Sequence, residues 1–93
     1  MTVKILSGNS NLPFATNVAT HCFTDLVPSN IKQFADGEIC TEVLENIRGK
    51  DLFLIQSTCT PVNDNLMELL IMIDTAKRSS AKRITAVIPY FGY

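Results

Sequence analysis

The chain has 93 residues, enough for one small domain and near the low end for an enzyme core. With 46% hydrophobic and 18% charged residues it is globular, not disordered, and a net charge of −1 offers no basic field for nucleic acid. Met1-Thr2-Val3-Lys4 lacks the layout of a secretion signal, and no apolar run reaches bilayer length, because Glu68 and Asp74 interrupt the richest one.

Val3–Leu6 reads as a short apolar strand, and Ser7–Asn11 as the turn after it. Asn11 is placed to cap a helix, with Pro13 near its first turn, where a missing N–H costs little. Phe14, Ala15, Val18, Ala19 and Cys22 then recur at helical spacing, while Thr16, Asn17, Thr20 and His21 face away. This predicts an amphipathic helix ending before Asp25.

Ile31–Phe34 is a weak strand, followed by an Asp36-Gly37 pair that favours a tight turn. Glu38–Leu44 is a better one: Ile39, Thr41 and Val43 share one face, and Glu38, Cys40 and Glu42 the other. Such alternation marks a partly exposed antiparallel strand. The two predict a hairpin, a small flap on the edge of the sheet. Asn46–Asp51 is a polar turn.

Leu52–Ile55 and Arg83–Phe91, the latter built on Ile84–Ile88, are continuous apolar runs, the pattern of strands covered on both faces of a parallel sheet. Between them lie a loop, Gln56–Asn65, and a helix from Leu66 to about Arg78. In Leu66–Ile73 only Glu68 is polar, so this helix is apolar around most of its circumference. One face can pack on its own sheet; the rest needs a cover from elsewhere. The order β-α-β-β-β-α-β predicts an α/β domain with a mostly parallel open sheet, flanking helices and a β-hairpin flap. The apolar Pro89–Tyr93 suggests a polypeptide cut short, since terminal segments are usually frayed and polar.

Few residues point to chemistry by spacing alone. Cys22, Cys40 and Cys59 form neither a CxxC nor a zinc pattern and read as free thiols in a reducing, cytoplasmic compartment. His21 is the only histidine and lacks neighbours at ligand spacing. Ser7–Asn11 follows the first strand, where α/β proteins commonly bind ligands, but it matches no phosphate-loop pattern and reads better as a capped turn. Phe34-Ala35-Asp36-Gly37-Glu38 sets an aromatic ring and two carboxylates around a glycine turn. A ring there can stack on a base and the carboxylates can accept from an amine or a hydroxyl, although a plain hairpin turn explains the same residues. Lys77, Arg78, Lys82 and Arg83 flank Ser79-Ser80 at a helix C-terminus, where cations offset the helix dipole. The alternative is a phosphate site that Arg48 could join.

Taken together, Lys4–Asn9, Phe34–Glu38, Glu45–Asp51, Ile55–Cys59, Asn63–Asp74 and Ser80–Tyr93 resemble the N-terminal part of ribose-phosphate pyrophosphokinases. The strings Asn-Asp-Asn-Leu-Met-Glu-Leu-Leu and Ile-Thr-Ala-Val-Ile-Pro-Tyr-Phe-Gly-Tyr are long and unusual; only Ser10–Lys32 lacks strong motif identity. The resemblance implies that residues 1–93 are an incomplete N-terminal part of a type I phosphoribosyltransferase-like domain. The family reaction moves the pyrophosphoryl group of ATP to the 1-hydroxyl of ribose 5-phosphate, giving phosphoribosyl pyrophosphate and AMP. It uses Mg²⁺, commonly with phosphate as activator and ADP as inhibitor, in hexamers.

By the same resemblance Phe34, Asp36, Gly37 and Glu38 belong to the loop that receives the adenine of ATP, which reverses the preference for a plain turn. Arg48 and Ser80 match a regulatory phosphate/ADP site, and Asn46 stands where some members carry serine. In the family an Ala-Arg-Gln-Asp-Arg string with ATP contacts follows the position of Tyr93, and the metal ligands, catalytic loop and ribose 5-phosphate motif come later. No catalytic or metal residue is therefore expected in this chain, which alone is expected to be inactive. The competing readings are a non-catalytic regulatory relative that docks on complete synthetase chains and, on fold alone, a receiver-type signalling module. The latter needs a phospho-accepting Asp at a strand's C-terminal end, whereas Asp51 begins its strand.

Overall fold

A computed structural model describes residues 3–34 and 37–92. The elements run β1 (Val3–Ser7), α1 (Leu12–His21), β2 (Ser29–Gln33), β3 (Ile39–Val43), β4 (Asp51–Ile55), α2 (Val62–Arg78) and β5 (Arg83–Val87). β1, β4 and β5 form a parallel sheet in the order β1-β4-β5, with Leu6 opposite Leu54 and Leu54 opposite Ala86.

The side-chain period of a strand divides the core in two. Leu6, Leu52 and Leu54 face α2 and pack with Leu69, Met72 and Ala76, closed at the margin by Val27 and Ile47. Ile5 and Ile55 point the other way and meet Ala15 and Ala19 of α1. β4 is buried along its length save for half-buried Phe53, as expected of a central strand. β5 departs from that expectation: Arg83, Thr85 and Ala86 are exposed, because it has a described neighbour on one side only. It also stops at Val87, short of Phe91.

β2 and β3 pair antiparallel, and β3 buries Ile39, Thr41 and Val43 more than Cys40 and Glu42, as its alternation predicts. The hairpin does not lie on the edge of the parallel sheet; it forms a separate two-stranded sheet packed against α2. The outer edge of β1 is already taken, since Leu26 bridges Ile5 and the Val27 N–H donates to Ile5 O at 2.8 Å. The apolar face of the hairpin therefore finds its cover on α2, where Ile31 and Val43 join the main core.

Asn11 Oδ1 accepts from the Phe14 N–H, the predicted cap of α1. α2 starts at Val62, one turn before the predicted Leu66, with the Asn65 N–H donating to Pro61 O at 3.0 Å and Asp64 facing the positive end of the dipole. The hairpin supplies part of the cover that α2 demands, but Met67 and Leu70 remain 49% and 48% exposed. No helix of the described residues is long and apolar enough to cross a membrane.

Candidate functional site

At the N-terminal end of the sheet two turns are joined. The Gly49 N–H donates to Ser80 O at 2.9 Å, and the Lys82 N–H donates to Lys50 O at 2.8 Å. Asn46 Oδ1 accepts from the Arg48 N–H at 3.0 Å, and Ile47, buried in the core, roots the first turn. Asn46, Arg48 and Ser80 thus lie exposed on neighbouring turns. Ser80 has φ of 62°, a left-handed conformation that costs a non-glycine residue energy.

Beneath these turns Arg83 Nε and Nη2 donate to the two carboxylate oxygens of Asp51 at 3.1 and 2.6 Å. This hydrogen-bonded fork holds the Asp51 carboxyl below the usual carboxylate range and raises the Arg83 guanidinium further above its own. Arg78 is paired with Asp74 at 2.9 Å. Arg48 forms no ion pair among the described residues, which leaves its guanidinium available to an anion.

The hairpin tip is a second candidate. The Phe34 N–H donates to Glu38 O at 2.7 Å and the Gly37 N–H to Phe34 O at 2.9 Å, with Gly37 at φ of 90°. Phe34 is half exposed and Glu38 exposed, so one turn carries both, while Asp36 lies outside the described residues. A cavity of about 400 Å³ opens between this tip and α2, lined by Gly37, Glu38, Ile39, Asp64, Met67 and Ile71.

Sequence reasoning missed a network at the C-terminal end of the sheet. Glu68, the one polar residue in the apolar run of α2, is turned inward, and its Oε1 accepts from the Asn9 N–H at 2.6 Å. Gln56 Oε1 accepts from the Ser10 N–H at 3.2 Å and the Ser10 hydroxyl at 2.7 Å, and Ser10 Oγ accepts from the Ser57 N–H at 3.0 Å. Gly8 allows this approach: a Cβ there would stand 2.9 Å from Glu68 Oε1 and closer still to the Gln56 amide. The signal lay in Glu68 itself, a lone carboxylate amid eight residues otherwise apolar.

This network decides the reading of the loop after β1. Two of the N–H groups that could cradle a phosphate are already bound to Glu68 and Gln56, and a carboxylate occupies the place an anion would take. The loop is a capped turn. His21 Nδ1 lies 2.8 Å from Asn17 O on the exposed side of α1, and all three cysteines are free thiols. Among the described residues no group of three or more His, Cys, Asp or Glu side chains is gathered to hold a metal ion.

Residues 3–93 match the family described as the N-terminal domain of ribose phosphate pyrophosphokinase. The chain belongs to the ribose-phosphate pyrophosphokinase family. It is 56% identical over 90 residues to a ribose-phosphate pyrophosphokinase of Campylobacter jejuni, covering 97% of this chain and 29% of that one. It is 55% identical over 91 residues to the chloroplastic ribose-phosphate pyrophosphokinase 1 of Arabidopsis thaliana, covering 98% of this chain and 23% of that one. A crystal structure of phosphoribosylpyrophosphate synthetase from Mycobacterium smegmatis superposes with a TM-score of 0.97 at 40% identity, across 100% of this chain and 31% of that one. The chain thus spans under a third of the length of these pyrophosphokinases.

Proposed function

We propose that the chain is the N-terminal segment of an ATP:ribose-5-phosphate diphosphotransferase, which makes phosphoribosyl pyrophosphate and AMP for nucleotide biosynthesis in the cytoplasm. The observation that carries this reading is the match along residues 3–93 to the N-terminal domain of that family, joined to a near-complete superposition on a synthetase. The segment is the first part of a phosphoribosyltransferase-like domain.

Its own residues would serve the nucleotide. Phe34 offers a half-exposed ring for stacking on adenine, and Asp36, Gly37 and Glu38 complete the loop, the carboxylates accepting from the exocyclic amine. Arg48 and Ser80, with Asn46 bracing the turn, would take the phosphate of a regulatory phosphate or ADP. Phosphoryl transfer of this kind relies on metal ions and fixed cations to neutralise charge. By family likeness the Mg²⁺ ligands and the catalytic loop belong to parts of the enzyme that this chain does not match, so the chain alone is expected to lack synthetase activity. The exposed Met67 and Leu70 suit burial in a homo-oligomer, a hexamer by family likeness.

With ATP and ribose 5-phosphate, the purified chain is expected to form no AMP. A chimera in which residues 3–92 replace the matching segment of the Campylobacter jejuni enzyme is expected to form it. AMP from the chain alone would overturn the inactivity, and a folded but inactive chimera would overturn the assignment. In an active chimera Phe34→Ala should raise KM for ATP by about 10-fold, the scale of one lost base–aromatic stack. Arg48→Ala should blunt the response to phosphate and ADP at unchanged KM for ATP.

A further inference from the structure

A cavity of about 230 Å³ opens between the hairpin and the start of α2. Ile31, Ile39 and Pro61 give it apolar walls, and Asp64, Asn65 and Glu68 give it polar ones. Glu68 and Asn65 are only 9% and 8% exposed. The Asn9 N–H engages Glu68 Oε1, but Oε2 accepts no hydrogen bond from the described residues. Asn65 donates through Nδ2 to Cys59 O at 2.8 Å, which leaves Oδ1 as an acceptor without a partner among them. Asp64 stands one turn before Glu68 on the same face of α2 and forms no ion pair among the described residues. Neither does Lys32, the one cation of the lining.

We propose that this cavity binds a primary aliphatic ammonium, with the charged head on Glu68 Oε2, Asn65 Oδ1 and Asp64 and the stem between Ile31, Ile39 and Pro61. Burying a carboxylate is costly unless donors or an opposite charge meet it, and Glu68 has one N–H for two oxygens. Two carboxylates four residues apart on a helix repel one another, and a cation between them turns that repulsion into attraction. An ammonium brings three donors and no acceptor, which matches a lining whose buried open atoms are acceptors. An anion would meet two carboxylates. A bare metal ion suits the space less well: no third acidic, His or Cys ligand is gathered there, and the apolar walls call for a carbon stem. The site stands on the geometry of the cavity and goes beyond the pyrophosphokinase reading.

The probe is n-butylammonium chloride, titrated into the 93-residue chain against potassium chloride of equal ionic strength. Binding is followed by the backbone amide signals of Asn9, Asn65 and Glu68, with Gly49 at the opposite end of the sheet as control. Saturable shifts are expected at the three amides and not at Gly49. n-Butanol, the same stem without the charge, should bind about 10-fold more weakly. Glu68→Gln keeps an oxygen for the Asn9 N–H but removes the charge, and should weaken butylammonium by about 10-fold, the scale of one charge-assisted hydrogen bond. Asp64→Asn, at an exposed position, should weaken it by about 2-fold and keeps the test decisive should Glu68→Gln fail to fold. Lys32→Met should tighten binding, because it takes a like charge out of the lining. Equal binding of n-butanol would reduce the site to an apolar hollow and overturn the proposal. Magnesium or potassium chloride giving the same shifts as the amine would overturn it in favour of a bare cation. Unchanged affinity in Asp64→Asn and a folded Glu68→Gln, or no saturable shift at Asn65 and Glu68, would also overturn it.

Discussion

The two ends of the parallel sheet are held by different means. At the C-terminal end, buried side chains of Gln56, Thr58 and Glu68 grip the backbone of residues distant in sequence, so the loops there are fixed by the core itself. At the N-terminal end the turns around Gly49 and Ser80 grip each other backbone to backbone, and Asn46, Arg48 and Ser80 are left exposed. The first arrangement consumes polar groups to make a rigid floor. The second ties the main chain and keeps side chains available, with local strain at Ser80, as binding turns often do.

Substitutions can break that contrast in graded steps. Leu54→Ala, in the middle of the central strand, should loosen both ends at once and cost about 2–5 kcal/mol in chemical denaturation. Gly8→Ala should cost about 1–3 kcal/mol by forcing Gln56 and Glu68 apart, and amide exchange should rise at Asn9 and Ser10 but not at Gly49. If Gly49 loosened as much as Asn9, the two ends would be one unit and the contrast would fail.

Asp51→Asn should have a smaller, pH-dependent effect. The folded carboxyl is lowered by Arg83, so the stabilisation it gives is fully present above the unfolded value of about 4 and is lost as pH falls through the lower folded value. The stability difference between parent and variant should accordingly be constant near neutrality and shrink below about pH 4; a difference that grew on acidification would contradict the pairing. Smallest of all, Ser80→Gly should stabilise the fold by roughly 0.5 kcal/mol in chemical denaturation, relieved left-handed strain less the added chain entropy.

Local signals carried the element order far. The apolar run of β4, the alternation of β3 and the Asn11 cap all depend on neighbours a few residues apart, and each stands where such rules put it. β5 joins the parallel sheet as its apolar run predicts, but is more exposed than β4 because among the described residues it has a neighbour on one side only. The hairpin misled because its placement depends on what already occupies the edge of β1. Of the sites, Arg48 and Ser80 were named through family likeness alone, and the Gly49–Ser80 hydrogen bond sets their turns side by side. The grip of the Thr58 hydroxyl on the Gly92 N–H gave no sign, since threonine in a loop is ordinary.

By itself the sequence determined the α/β order, the family, and the apolar excess of α2. Only the tertiary structure decided that the hairpin rides on α2, that Glu68 turns inward to hold Asn9, and that Gln56 and Thr58 tie three strand ends together. The physical reason is range. Strand and helix periods are written in adjacent residues, whereas a side chain reaching a backbone group 34, 46 or 59 residues away has a partner only once the sheet has brought the two together.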